Sequence, residues 1–102
     1  MIFRIKDKNE TVIGLTRKIG YRPLGVNGNN EYSIVKELNN SGYPRFHIYI
    51  IKDDDGDFRI NLHLDRKRTS YKSKGVFAHN ADYQGELVEK EANRILNIFK
   101  KD

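Results

Sequence analysis

Two alternating apolar segments around an acidic turn constrain the fold of this chain more than any other feature. The segments are residues 46–51 and 58–65, and the turn residues between them are Asp54, Asp55 and Gly56. A three-residue loop that ends in glycine is typical of a type I turn with a bulge, which joins two antiparallel strands. The alternation predicts one buried face on this hairpin. Its members are Phe46, Ile48, Ile50, Ile60, Leu62 and Leu64.

Two further segments have the spacing of amphipathic helices. In the first, Asn9 is the predicted N-cap and Gly20 the predicted stop; the second runs from residue 85 or 86 to residue 100. Side chains suited to a core recur at helical intervals in both segments, so each helix is expected to bury one face. These side chains are Val12, Leu15, Thr16 and Ile19 in the first helix and Val88, Ala92, Ile95 and Phe99 in the second.

The order of these elements predicts an α+β fold of one domain spanning residues 1–102. Residues 2–6 and 32–38 add two strands, whereas residues 21–30 contain Pro23, Gly25 and Gly28 and are predicted as a loop. The expected order is (β)αβββα, an antiparallel sheet of three to four strands packed on one face by two helices. Residues 66–84 are expected to form a long connection without regular structure.

The composition excludes several classes of protein. The chain of 102 residues contains no cysteine, which excludes a disulfide framework, a thiolate zinc site and a cysteine nucleophile. No apolar run reaches the roughly 18 residues of a membrane helix, and the alternating first six residues lack the apolar core of a signal peptide. We therefore expect a cytoplasmic protein that has no membrane partner.

The net charge of +5 is concentrated between residues 66 and 80, where there are five basic residues and no acid. Basic residues next to aromatic ones are typical of a surface that binds phosphates and stacks bases, so the sequence predicts nucleic-acid binding, with RNA favoured. A solvated loop that only keeps the protein in solution is the alternative. The predicted phosphate contacts are Arg45, Arg66, Lys67, Arg68, Lys72 and Lys74, and the predicted stacking residues are Tyr49 and Tyr71.

The turn also predicts the register of the hairpin and the contents of its second face. If Asp53 pairs with Asp57, His47 lies opposite His63, and residues directly opposite have Cβ atoms about 5 Å apart. This second face is expected to point to solvent. It would carry Arg45, His47, Tyr49, Arg59, Asn61, His63 and Asp65.

Two neighbouring imidazoles beside cationic groups have the chemistry of a metal-independent ribonuclease or phosphodiesterase. Histidine exchanges protons near neutral pH, so one ring can act as general base and the other as general acid. In this alternative His47, His63 and Asp65 are the catalytic residues, joined by His79 if the 66–84 connection folds over the face. Whether the protein is an enzyme stays open.

The same side chains offer nitrogen and oxygen ligands for a divalent metal. His47, His63 and His79 with Asp65 or Asp82 would be enough ligands for zinc. The neighbouring Arg45, Arg59, Arg66 and Lys67 oppose a dication, and no closely spaced histidine pair exists. We therefore predict no metal and no cofactor, and leave a small-molecule ligand and the oligomeric state open.

A third function is a protein-interaction module, in which the hairpin or the first strand pairs with the edge of a partner's sheet. Such pairing needs an exposed strand edge and no specific side chains. It therefore remains an alternative to both the RNA-binding and the enzymatic interpretation.

Two resemblances accompany these observations. Residues 43–47, 61–67, 70–71, 78–79 and 89–92 resemble short hypothetical proteins from genomes of poorly cultured prokaryotes, a group without an assigned function. The predicted order of helix, three strands and helix resembles the double-stranded-RNA-binding domain, a family that recognises the shape of RNA. Its last helix starts with lysines, whereas Glu86, Glu89 and Glu91 stand there in this chain, so the resemblance covers topology alone.

Overall fold

The chain forms an antiparallel sheet with two helices, which is the α+β class predicted from the sequence. The computed structural model describes residues 1–7, 9–66, 70–72, 76–78 and 81–100. The elements are, in chain order, β1 (Ile2–Ile5), α1 (Val12–Ile19), β2 (Arg22–Val26), β3 (Tyr32–Glu37), β4 (Arg45–Lys52), β5 (Phe58–Asp65), β6 (Ser70–Lys72), β7 (Val76–Ala78), β8 (Ala81–Asp82) and α2 (Glu86–Ile98).

Five strands lie side by side in the order β1-β5-β4-β3-β2, and β8 pairs with β5 as a sixth strand of the same sheet. In the described part of the chain, β6 and β7 pair with each other in a separate two-stranded sheet. The predicted number of three to four strands is therefore too low. Residues 66–84 also contain three short strands, so the expectation of a connection without regular structure is wrong.

The strand β2 lies within residues 21–30, which the sequence predicted as a loop. Every residue of β2 is exposed, so it shows no alternation of apolar and polar side chains. Pro23 and Gly25 are tolerated because β2 is an edge strand, where a missing N–H costs no bond inside the sheet. The register slips between these two residues, as it does at a bulge.

The β4–β5 hairpin has the register that its turn predicted. The N–H of Asp53 donates to the carbonyl of Asp57 at 2.7 Å, and that of Gly56 donates to the carbonyl of Asp53 at 2.9 Å. Gly56 has a φ of 91°, the left-handed conformation that glycine adopts without a steric penalty. His47 consequently pairs with His63 across the two strands.

The helix α1 begins later than its sequence predicted. Its N-cap is Thr11, whose hydroxyl accepts a hydrogen bond from the N–H of Gly14 at 3.0 Å. Asn9 was the predicted cap, but it lies before the helix, and its own N–H donates to the side chain of Asp7. Gly20 ends the helix in the left-handed conformation, as predicted.

The hydrophobic core lies between the two helices and one face of the sheet. All six residues predicted for the buried face of the hairpin are buried in it. Leu15 and Ile19 of α1 and Val88 and Ile95 of α2 cover them. Neither of the described helices is long and apolar enough to cross a membrane. The opposite face of the sheet, which the helices do not cover, carries a cluster of polar side chains.

Candidate functional site

Polar side chains of three neighbouring strands meet on the sheet face that lies opposite the helices. The rings of His47 on β4 and His63 on β5 have their centroids 4.8 Å apart. Tyr49 lies two residues along β4, with its ring 4.5 Å from that of His47 and 5.8 Å from that of His63. We call the group formed by Ser33, Arg45, His47, His63 and Asp65 the histidine cluster.

Asp65 is the centre of the histidine cluster because its carboxylate contacts three nitrogen atoms. One oxygen, Oδ1, lies 2.9 Å from Nε2 of His63. The other, Oδ2, lies 3.1 Å from Nε of Arg45 and 3.3 Å from Nδ1 of His47. A carboxylate accepts several hydrogen bonds at once, so Asp65 orients both imidazole rings.

The contacts of His47 define where its hydrogen lies when the ring is neutral. Nδ1 faces the carboxylate of Asp65, so it carries the hydrogen and donates. Nε2 lies 2.6 Å from Oγ of Ser33, whose hydroxyl then donates to it. Ser33 can equally accept from Nε2, because a hydroxyl works in both directions. Ser33 can therefore form a hydrogen bond with Nε2 in either tautomer of His47.

His63 has a polar atom that the described part of the chain does not satisfy. Its Nε2 donates to Asp65, which leaves Nδ1 as an acceptor in the neutral ring. Nδ1 is buried and has no hydrogen-bond partner among the described residues. Buried polar atoms without a partner are rare in folded proteins, because they lose their hydration without compensation.

The surroundings keep Asp65 ionised. Burial raises the pKa of its carboxyl group, but the hydrogen bonds from His47, His63 and Arg45 together outweigh burial, and the pKa lies well below its ordinary value. Tyr49 shows the opposite shift, because burial and then the negative charge of Asp65 raise the pKa of its hydroxyl. The histidine cluster therefore holds an ionised carboxylate at its centre.

The two histidines are buried, so the expectation that they point to solvent is wrong. His47 is 7% exposed and His63 is 5% exposed. The ring of Tyr83 lies 5.1 Å from that of His63, just after β8 pairs Asp82 with Leu64. The end of the 66–84 connection thus reaches this face. The alternation of apolar and polar residues along the hairpin contains no information about this contact. His79 lies outside the described residues.

The predicted cationic and stacking residues differ in what contacts them. Arg45 is committed to Asp65, and its guanidinium carbon lies 4.7 Å from the ring centroid of Tyr43. Arg66 donates to the carboxylate of Asp82 from both Nε and Nη2, at 2.7 and 2.6 Å. Tyr71 and Lys72 belong to β6, where Tyr71 pairs with Phe77. Lys67, Arg68 and Lys74 lie outside the described residues.

Sequence reasoning did not include Ser33 or Tyr83 in the site. Ser33 pairs with Tyr49 in the β3–β4 register, and that register was not deduced from the sequence. A register derived from the turn at residues 38–44 would have placed Ser33 on the face of His47. Tyr83 follows a two-residue strand and has no comparable signal in the sequence.

We compared the chain with protein families, curated proteins and solved structures. No protein-family model matches the chain, and no curated protein or solved structure shows significant similarity to it.

Proposed function

We propose that this protein binds nucleic acid, with RNA favoured, and that the basic segment around the β6–β7 ribbon makes the contacts. The observation that carries this proposal is the position of the segment. Residues 66–74 contain five basic residues and no acid, and they include β6, one strand of a two-stranded ribbon whose described strands are separate from the main sheet. Phosphate contacts of this kind supply most of the affinity in non-specific binding.

The ion pair between Arg66 and Asp82 does not prevent phosphate binding. Both side chains are substantially exposed, at 59% and 36%. Exposed pairs of this kind contribute about 0–1 kcal/mol, so a phosphate group can replace the carboxylate at small cost. Arg45 is a weaker candidate for a phosphate contact, because its guanidinium is largely buried between Asp65 and Tyr43.

Stacking of unpaired bases supports RNA as the favoured partner. RNA is recognised mainly through single-stranded regions whose bases stack on aromatic side chains. Tyr71 lies within the basic segment, whereas Tyr49 is half-buried and packs against both histidines. We therefore assign stacking to Tyr71 in preference to Tyr49.

Cleavage of RNA at the histidine pair is less favoured than binding. A general acid and a general base must come within hydrogen-bond distance of the phosphodiester, and less than a tenth of each histidine is exposed. Asp65 also contacts one nitrogen atom of each ring, Nδ1 of His47 and Nε2 of His63. An enzyme at this site would first have to move Tyr83 away from His63.

The test measures the fluorescence anisotropy of labelled single- and double-stranded RNA and DNA as the full-length protein is added. Five phosphate contacts to a single strand predict an affinity loss of roughly 100-fold between 50 and 200 mM salt. Replacing Arg66, Lys67 and Arg68 together by alanine should weaken binding and reduce the slope of log affinity against log salt by about 2. Tyr71→Ala should weaken binding to single strands more than to duplexes.

A second triple variant controls for charge alone. Arg17 lies on α1, Lys90 lies on α2, and Lys100 follows α2. Replacing these three residues by alanine lowers the net charge of +5 by the same amount as the first triple variant. Equal losses in both variants would contradict a site at the ribbon. No binding at low salt would overturn the proposal and leave the interaction module to be tested. Shortened oligonucleotide on a denaturing gel, abolished by His63→Ala, would establish the ribonuclease instead.

A further inference from the structure

We propose that His47, His63 and Asp65 bind one divalent transition-metal ion of the zinc type on the sheet face opposite the helices. Each residue supplies one ligand atom, and the three atoms lie within 4.8 Å of one another. Two histidines and a carboxylate are a common ligand set for such ions, and they leave at least one coordination position for water or another ligand. This inference is independent of the proposed binding of RNA.

The distances need only a small closing movement. Ligand atoms about 2.1 Å from a tetrahedral zinc ion are about 3.4 Å from each other. Nε2 of His63 lies 2.9 Å from Oδ1 of Asp65, the oxygen that would bind the ion, whereas Nδ1 of His47 lies 3.3 Å from Oδ2, the oxygen that Arg45 contacts. The largest separation of 4.8 Å must shorten by about 1.4 Å. Side-chain rotation is the movement that the proposal requires, and the three ligands share one face of a paired hairpin.

When both imidazole rings are neutral, binding of the ion requires only a change of tautomer. In the ion-bound form, Nδ1 of His47 and Nε2 of His63 give their lone pairs to the metal, and each neutral ring keeps its hydrogen on its other nitrogen. In His47 this hydrogen then points at Oγ of Ser33, which lies 2.6 Å from Nε2 and accepts it. Metal-binding histidines usually donate their second N–H in this way, which fixes the orientation of the ring.

Arg45 is compatible with the ion because it contacts the other oxygen of the carboxylate. Its Nε lies 3.1 Å from Oδ2 of Asp65, while Oδ1 faces His63. A carboxylate that binds a metal through one oxygen commonly accepts a hydrogen bond on the second. Arg45 would therefore orient the ligand that Asp65 provides, and it has no need to move.

Two of the other basic residues that argued against a metal in the sequence, Arg59 and Arg66, are placed elsewhere, and Lys67 lies outside the described residues. Arg66 is paired with Asp82. Arg59 pairs with Arg4 and Ile51, four residues along β5 from His63, which is about 13 Å in an extended strand. Asp82, named in the sequence as an alternative ligand, contacts Arg66 and is not among the three residues whose ligand atoms lie close together.

The second nitrogen of His63, Nδ1, would carry the hydrogen in the ion-bound form. The side chain of His63 is 7% exposed, and Nδ1 has no hydrogen-bond partner among the described residues. The proposal therefore depends on the three ligand atoms of the hairpin and not on this nitrogen.

The experiment titrates the full-length protein, first stripped of metal with a chelator, with Zn²⁺ in a calorimeter. We expect one equivalent of Zn²⁺ to bind, and Co²⁺ to give the visible absorption of a tetrahedral complex. His47→Gln and Asp65→Asn should each lower the affinity at least 10-fold. At a Zn²⁺ concentration 100 times Kd, the melting temperature of the wild-type protein should rise by roughly 10 °C.

Asp57→Asn is the matched control, because it makes the same change of carboxylate to amide at the opposite end of the hairpin. It should bind Zn²⁺ like the wild type. Ser33→Ala keeps all three ligands and should lower the affinity about 10-fold, which tests the site even if a ligand variant fails to fold. Absence of stoichiometric binding by the wild type would overturn the proposal. Unchanged affinity in both His47→Gln and Ser33→Ala would also overturn it.

Discussion

The hydroxyl of Tyr21 donates a hydrogen bond of 2.5 Å to Oε2 of Glu91, which joins the end of the first helix to the middle of the second. Both residues are buried. Arg94 completes the contact, since its Nη2 donates to Glu91 and to the carbonyl of Ile19. A carboxylate inside the helical layer is thus fully paired, and it ties together elements that are distant in the sequence.

Replacing Tyr21 by phenylalanine tests the contribution of this contact. The variant keeps the ring in the core but removes one donor from a buried carboxylate, so we expect the free energy of unfolding to fall by about 1–3 kcal/mol. Urea denaturation followed by circular dichroism measures the change. Tyr32→Phe is the control, because the hydroxyl of Tyr32 makes no hydrogen bond within the described part of the chain. A similar loss in both variants would contradict the assignment.

Alkaline solution should weaken the same contact. Burial, followed by the hydrogen bond to Glu91, raises the pKa of Tyr21 far above its ordinary value. The folded state therefore holds the phenolic proton more tightly than the unfolded state, so this contribution is complete below about pH 10 and is lost at higher pH. Urea denaturation between pH 8 and 11 should show the decline. Tyr21→Phe should flatten it, and an unchanged slope would contradict this account.

A pair of variants tests where the first helix begins. Thr11→Ala removes the hydroxyl that accepts from Gly14 and should destabilise the protein by about 0.5–2 kcal/mol. Asn9→Ala should cost less, because the side chain of Asn9 does not cap the helix. Thermal denaturation of the two variants gives the comparison. If Asn9→Ala destabilised the protein more than Thr11→Ala, the N-cap would be Asn9, the residue predicted from the sequence.

The turn of the β4–β5 hairpin offers a similar comparison. Gly56→Ala places a side chain at a φ of 91°, so we expect a loss of about 1–2 kcal/mol. Gly28→Ala is the control, because an added Cβ there has open space and no positive φ to strain it. Urea denaturation should separate the two variants clearly. Equal stabilities would mean that the turn tolerates another backbone conformation.

The hairpin and its register could be predicted from the sequence because their causes are local. The acidic turn ends in Gly56, and the alternation on either side of it allows one register that buries Ile48 opposite Leu62. The two helices were predicted for the same reason, since their stripes repeat within a few residues. The boundary of the first helix was wrong because Asn9 and Thr11 are both good capping residues.

The burial of the histidines could not be predicted in the same way. Polar residues at alternate positions indicate a solvated face only if nothing else packs on that face. Here Tyr83 reaches His63 from a distant part of the chain, and Val35 on the same face is also fully buried. The edge strand β2 was missed for a different reason, because its exposed residues carry no pattern of burial.

The position of β5 between β1 and β4 has a consequence for the order in which the sheet assembles. One side of Phe58 pairs with Lys52 across a tight turn, whereas the other side pairs with Ile5 near the beginning of the chain. Closing a short loop loses less entropy than closing a long one, and contacts near in sequence form sooner. We therefore expect folding to begin at the β4–β5 hairpin, with β1 docking late. Mutations at Ile48 should slow folding, whereas mutations at Phe3 should mainly speed unfolding.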